Sequence, residues 1–328
     1  MKYAYYPGCS LERNASAYHV SALAVSKPFG IELDEIDDWN CCGAVEYIAI
    51  NRPAAYALVA RNLALAAGQQ SNGNGKDKQL VAPCSACFLN LSKAETYMRR
   101  DPKFAAEVNT ALNAGGLSYT PGELTVRHLL DVFVNDIGYE AIAQKVVKPL
   151  KNVRVAPYYG CLVVRPAFQG VFDDHEYPMT LDRLMEALGV QVVDFPLKAH
   201  CCGGHMTQIS EPVALEMIRR LLKNADDYDA DIIVTLCPMC QLNLDAYQES
   251  VNRYFKTDYK IPVLYFTQLM GLSMGISAAE LGIGKEFVDA RPVLSKNGVH
   301  VPEPEQPRKK KKPAKEALPM PRMPKEGS

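Results

Sequence analysis

"QLVAPCSACFLNL" at residues 79–91 returns as "IIVTLCPMCQLNL" at residues 232–244, and this echo decides how the chain is read. Each copy runs from a short apolar, β-rich stretch straight into a C-x-x-C at the start of a helical pattern, and each ends in Leu-Asn-Leu. Outward from it, "YAYYPGC" (3–9) matches "VAPYYGC" (155–161), and "WNCCG" (39–43) matches "AHCCGG" (199–204). The cysteine landmarks are offset by 152, 160 and 153 residues in the same order, so the chain is a duplication with small insertions.

The register continues beyond the cysteines. "INRPAAYALVARNL" (50–63) parallels "ISEPVALEMIRRLL" (209–222), each with a helix N-cap candidate, Asn51 or Ser210, and a proline in the first turn. "LTVRHLLDVFV" (124–134) parallels "IPVLYFTQLMGL" (261–272). In the second copy "VRVAPYY", "VQVVDF", "DIIVTL" and "PVLYF" read as strands, while "PMTLDRLMEALG" and "EPVALEMIRRLLKNA" have helical spacing. The expected fold class is α/β: two tandem copies, 1–150 and 151–285, each with βα units around a mostly parallel sheet. Residues 286–328 are expected to form a disordered tail, rich in proline and lysine from about 301: its last 28 residues hold 8 of the 36 basic residues and seven of the 22 prolines.

All ten cysteines fall into two sets of five: Cys9, Cys41, Cys42, Cys84 and Cys87, then Cys161, Cys201, Cys202, Cys237 and Cys240. The first cysteine of each set follows the first strand of its copy, and the C-x-x-C follows a later one. That puts them at the carboxyl ends of parallel strands, where open α/β sheets bind ligands. The C-x-x-C thiols stand on one face of a helix start, whose positive end favours thiolates and suits chelation of one metal. The side chains of the adjacent Cys-Cys pair diverge, which suits two neighbouring irons better than two corners of one tetrahedron. The glycine that follows, Gly43 or Gly203, is expected to allow close backbone approach. Five thiols exceed the four that satisfy structural zinc or an ordinary cubane cluster, and point to an irregular multi-iron cluster. A zinc-organised structural module and a disulfide framework are the competing readings; a 328-residue chain with a large core needs no staples.

The composition, 48% hydrophobic and 22% charged with a formal net charge of -1, is that of a soluble globular protein and makes no case for nucleic acid. There is no signal-peptide-like start and no transmembrane segment, so the chain reads as cytoplasmic. It has neither the ferredoxin run C-x2-C-x2-C-x3-C-P nor a G-x-G-x-x-G fingerprint, so no flavin or NAD is expected on it.

With its two CCG cysteine modules, its "YYPGCSLE" opening and the "YYGCLVVRP" start of its second half, the sequence resembles the HdrB component of heterodisulfide reductase over nearly all of residues 1–285. The resemblance implies that each five-cysteine set holds a noncubane [4Fe-4S] cluster, and that a small disulfide or thiol substrate reacts between the two. It also implies electron exchange with two partners, a ferredoxin-like HdrC-type protein and an HdrA-type flavoprotein. Similar subunits serve sulfur-oxidising complexes, and CCG modules occur in quinone-linked succinate dehydrogenases or fumarate reductases, where the chain would transfer electrons and dock. Beyond the cysteines, His200 and His205 are candidate proton donors to a leaving thiolate. Arg165 and Lys198 are candidates to hold an anionic substrate tail, and Trp39 is a candidate shield of the first cluster.

Overall fold

A computed structural model describes residues 1–44, 47–69, 78–166 and 173–301. In the first copy β1 (Lys2–Tyr5), β2 (Glu32–Glu35), β3 (Lys78–Ala82) and β4 (Leu124–His128) form a parallel sheet in the order β2-β1-β3-β4. In the second, β5 (Arg154–Tyr158), β6 (Gln191–Val192), β7 (Ile232–Thr235) and β8 (Val263–Tyr265) form another in the equivalent order β6-β5-β7-β8. The duplicated sequence thus has a duplicated topology.

The strand segments are apolar and β-branched because the sheets are interior. All four residues of β7, Ile-Ile-Val-Thr, are buried, as expected for parallel strands. In each sheet the chain order reverses between the first and third strand of the copy, and this switch point opens a crevice at the carboxyl ends of those strands. Cys9 follows β1 and Cys84 follows β3; Cys161 follows β5 and Cys237 follows β7. The crevice therefore receives the cysteines from both sides.

One apolar core runs through both copies. The helix Ser16–Ser26 of the first packs on the helix Phe266–Ser273 of the second. There Ser21 and Thr267 share a buried hydroxyl hydrogen bond of 2.6 Å, and the rings of Tyr18 and Tyr265 stack at 4.3 Å. The relative placement of the two cysteine sets is thus fixed by packing.

Three local expectations are revised. Asn51 caps its helix, accepting from the Ala54 amide, but Ser210 makes no side-chain cap. The segment after 285 folds as far as 301: Asp245 accepts the amides of Phe287 and Val288, the helix Arg291–Ser295 follows, and Leu294, Val299 and Val301 are buried. The proline- and lysine-rich residues 302–328 lie outside the described residues. Finally, a Cβ at Gly43 would meet nothing within 4 Å and one at Gly203 only ordinary contacts, so these glycines serve their positive φ, +61° and +96°, and not close approach.

Candidate iron-sulfur centres

Cys84 and Cys237 are the N-caps of the helices Ser85–Arg100 and Pro238–Ala246, so each C-x-x-C occupies a first helical turn. The other cysteines pair in the same pattern in both copies. Cys9 stands 3.6 Å from Cys41 and Cys42 stands 3.3 Å from Cys87; in the second copy Cys161 bonds to Cys201, and Cys202 stands 3.6 Å from Cys240. Two sulfurs on one metal at tetrahedral angles lie about 3.8 Å apart, so these pairs are near chelating distance. Among the described residues, however, no three His, Cys, Asp or Glu side chains are arranged to hold a single metal ion. Five sulfurs to a set outnumber the four ligands of a lone zinc and suit a multi-atom cluster better.

The electrostatics fit the same group. All ten cysteines are free; Cys9, Cys41 and Cys201 are exposed, Cys161 is half-buried, and the rest are buried. Hydrogen bonds from Cys42 and Cys9 bring the Cys41 thiol down to about 2, and the bond from Cys161 brings Cys201 to about 6. Donating to Cys41 pushes Cys9 up and Cys42 to about 12. Hydrogen bonds from Cys240 and Cys84 favour the thiolate of Cys237, while Cys84 itself is held protonated by that bond and by burial. Deprotonating all five thiols of a set thus requires a compensating positive charge, which iron would supply.

The Cys84 and Cys237 thiols interact across the boundary between copies and bring the two sets together. Nearby, Ser85 donates to the Leu236 carbonyl at 3.3 Å. The two centres are neighbours.

Several supporting residues were not singled out from the sequence. The Tyr6 hydroxyl donates to the Asn40 carbonyl and the Tyr158 hydroxyl to the His200 carbonyl, both at 2.7 Å, fixing the residue before each Cys-Cys pair. Asn90 donates to the Cys42 carbonyl at 3.0 Å; Asn243 donates to those of Cys202 at 3.2 Å and Gly204 at 2.9 Å. The signal was available, because these Tyr and Asn residues recur in both copies. Gly8 and Gly160, just before the first cysteine of each set, have φ of +77° and +69°, and a Cβ on them would lie 2.9 Å from Cys87 Sγ and 3.0 Å from Cys240 Sγ. This is where the backbone closes on the sulfurs.

The non-cysteine candidates divide. His205 lines a cleft of about 230 Å³ between the copies, formed by Ser10 and Asn14 from the loop after Cys9 and by Gly204, Met239 and Asn243. His200 is exposed, and its backbone carbonyl holds Tyr158. Lys198 is 1% exposed, ion-paired to Asp182 at 2.8 Å, and lies over the Tyr177 ring, so its charge is spent inside the fold and is out of reach of a substrate. Arg165 is bound to Glu176 at 3.2 Å and to the Ala199 carbonyl. Trp39 is half-buried, packs edge-on against Tyr6, donates to Glu35 and lines an opening beside Cys41.

Residues 3–92 and 155–245 each match the CCG family, described as cysteine-rich domain. The chain is 32% identical over 271 residues to the HdrB component of the ferredoxin/F(420)H(2)-dependent CoB-CoM heterodisulfide reductase of Methanosarcina acetivorans, covering 81% of this chain and 87% of the relative. The chain belongs to the HdrB family of heterodisulfide reductase components, with two CCG domains. The chain is also 36% identical over 289 residues to the 8-methylmenaquinol:fumarate reductase membrane anchor subunit of Wolinella succinogenes, covering 88% of this chain and 98% of the relative. A hypothetical protein from Helicobacter pylori shares the fold, with a TM-score of 0.69 and 16% identity; 88% of this chain aligns to 52% of it, so the chain spans about half that protein's length. The HdrB relatives bear the names of heterodisulfide reductase subunits, which supports oxidoreductase activity for this chain. Among the described residues no helix is long and apolar enough to cross a membrane.

Proposed function

We propose that the chain is the iron-sulfur subunit of a heterodisulfide reductase-type complex, binding two noncubane [4Fe-4S] clusters and carrying out disulfide/thiol redox chemistry between them. The observation that carries this reading is the pair of equivalent five-cysteine constellations touching at Cys84 and Cys237. Cys9, Cys41, Cys42, Cys84 and Cys87 would hold one cluster, and Cys161, Cys201, Cys202, Cys237 and Cys240 the other. When bound, the two clusters would supply one electron to each half of a disulfide. Tyr6, Tyr158, Asn90 and Asn243 hold the cysteine loops in place, and the cleft between copies admits a small substrate next to the loop after Cys9. His205, on the cleft wall, is the better placed of the two histidines to give a proton to a leaving thiolate. Electrons would be exchanged with a ferredoxin-like HdrC-type partner and an HdrA-type flavoprotein, in the cytoplasm.

A second reading is favoured by the 36% identity across 98% of the fumarate reductase anchor protein. In it the same two clusters relay electrons between a quinol and a flavoprotein, and no sulfur compound reacts. The two readings separate on EPR of anaerobically prepared, oxidised holoprotein. A signal that small thiols alter supports sulfur chemistry. A signal indifferent to thiols but bleached on addition of a reduced menaquinone analogue, in the presence of the flavoprotein partner, replaces it with the relay.

A further inference from the structure

The ion pair behind the second cysteine set ties two of its loops together. Asp182, buried on the helix Thr180–Ala187, accepts the Tyr159 hydroxyl on one carboxylate oxygen at 2.6 Å and the Lys198 ammonium on the other at 2.8 Å. Tyr159 stands two residues before Cys161, and Lys198 three before Cys201. The loops also meet directly, because the Lys198 carbonyl accepts the amides of Tyr159 at 2.9 Å and Gly160 at 3.1 Å. In front of this junction Cys161 bonds to Cys201, and the Gly160 backbone closes on Cys240 Sγ. The first copy is built otherwise: in the paired motifs Pro7 stands where Tyr159 does, and the exposed Asp38, held by Arg61, stands where Lys198 does.

Stability alone does not account for this pair. Burying an ammonium and a carboxylate costs desolvation that their attraction only roughly repays, and a well-packed apolar pair of similar volume serves stability as well. What the charges add is direction. Asp182 fixes both donors through bonds of set length and angle, whereas apolar side chains fill the same space without setting an orientation. The Tyr159 hydroxyl in turn accepts the amides of Leu181 at 2.6 Å and Asp182 at 3.2 Å, so it is locked between the helix start and the carboxylate.

We propose that Asp182 is a positioning residue of the second centre alone: through Tyr159 and Lys198 its carboxylate sets how the Cys161 loop and the Cys201–Cys202 loop face the cluster. The proposal rests on the cluster reading above and adds an asymmetry between the two centres. The test makes Lys198→Met/Asp182→Leu, which swaps the ion pair for an apolar one, in two backgrounds: Cys42→Ser, which keeps the second centre, and Cys202→Ser, which keeps the first. Iron per chain, EPR of the anaerobically oxidised protein and urea unfolding are measured on each. In Cys42→Ser the double change is expected to alter the EPR signal and lower iron by about half, with unfolding stability near that of its parent; in Cys202→Ser iron and signal stay as they were. Tyr159→Phe keeps the ion pair and cuts one of the two links, so it should alter the same signal in Cys42→Ser, and it decides the matter if the double change prevents folding. Unchanged iron and signal in Cys42→Ser show a purely structural pair and overturn the proposal while leaving the cluster reading standing. Equal losses in both backgrounds also overturn it, because the effect then spreads through the fold. A wild-type chain without iron overturns the cluster reading itself.

Discussion

Asn243 holds the second Cys-Cys-Gly loop with one side-chain amide. It is 3% exposed and donates to the carbonyls of Cys202 and Gly204, at 3.2 and 2.9 Å. Asn243→Ala leaves both acceptors without this donor, and a buried polar group stranded this way costs about 1–3 kcal/mol. Gly204 is only half-buried and can recover part of the loss from water, so the expected destabilisation is about 2–4 kcal/mol. Asn90, its counterpart, makes one such bond, to the Cys42 carbonyl, so Asn90→Ala should cost about half as much. Anaerobic urea unfolding of the holoproteins measures both, and iron analysis on the same samples tests the local consequence: Asn243→Ala should lose up to half its iron, from the second site. Equal destabilisation by the two variants, or full iron in Asn243→Ala with wild-type stability, would refute the reasoning.

Three further outcomes follow from particular contacts. Gly8→Ala and Gly160→Ala place a Cβ against a ligand sulfur and should lower iron per chain, whereas Gly43→Ala, with open space around it, should keep its iron and cost only the strain of its positive φ, about 1 kcal/mol; equal iron loss in all three would show that the sulfur contact does not matter. Lys198→Met strands the buried Asp182 carboxylate and should lower unfolding stability by about 3–5 kcal/mol, much of it restored in Lys198→Met/Asp182→Leu; a single variant as stable as the double in urea unfolding would contradict a buried pair. His128 is fully buried, and loss of hydration brings its imidazole from 6.5 down to about 4. Its folded value is depressed, so the unfolded chain binds the proton first as pH falls. Its contribution is complete above about 6.5 and is lost between there and about 4, about 3 kcal/mol in all, so the stability difference between pH 7 and pH 5 should shrink in His128→Gln.

The cysteine pattern made much of this legible in advance. The duplication is written in the spacing of Cys9, Cys41 and Cys84 against Cys161, Cys201 and Cys237, and the strand and helix patterns of the second copy correspond to observed elements because period and turn chemistry are local signals. What escaped depends on contacts far apart in sequence. Lys198 resembles any lysine beside a candidate site until the fold brings Asp182 under it and Tyr177 over it. The folding of residues 286–301 depends on Asp245, which accepts two amides from a segment over forty residues away. Asn90 and Asn243 were visible in both Leu-Asn-Leu repeats, yet sequence alone gave their amides no partner. The meeting of Cys84 with Cys237 is a product of how the copies dock, set by packing such as the Tyr18 and Tyr265 stack.

The central claim is that two five-cysteine sets each hold an iron-sulfur cluster. Iron, zinc and acid-labile sulfide analysis of the anaerobically purified full chain tests it most directly. The account predicts about eight iron and eight sulfide per chain with little zinc, falling to about half in Cys42→Ser and, separately, in Cys202→Ser. A colourless protein carrying zinc without sulfide would contradict it.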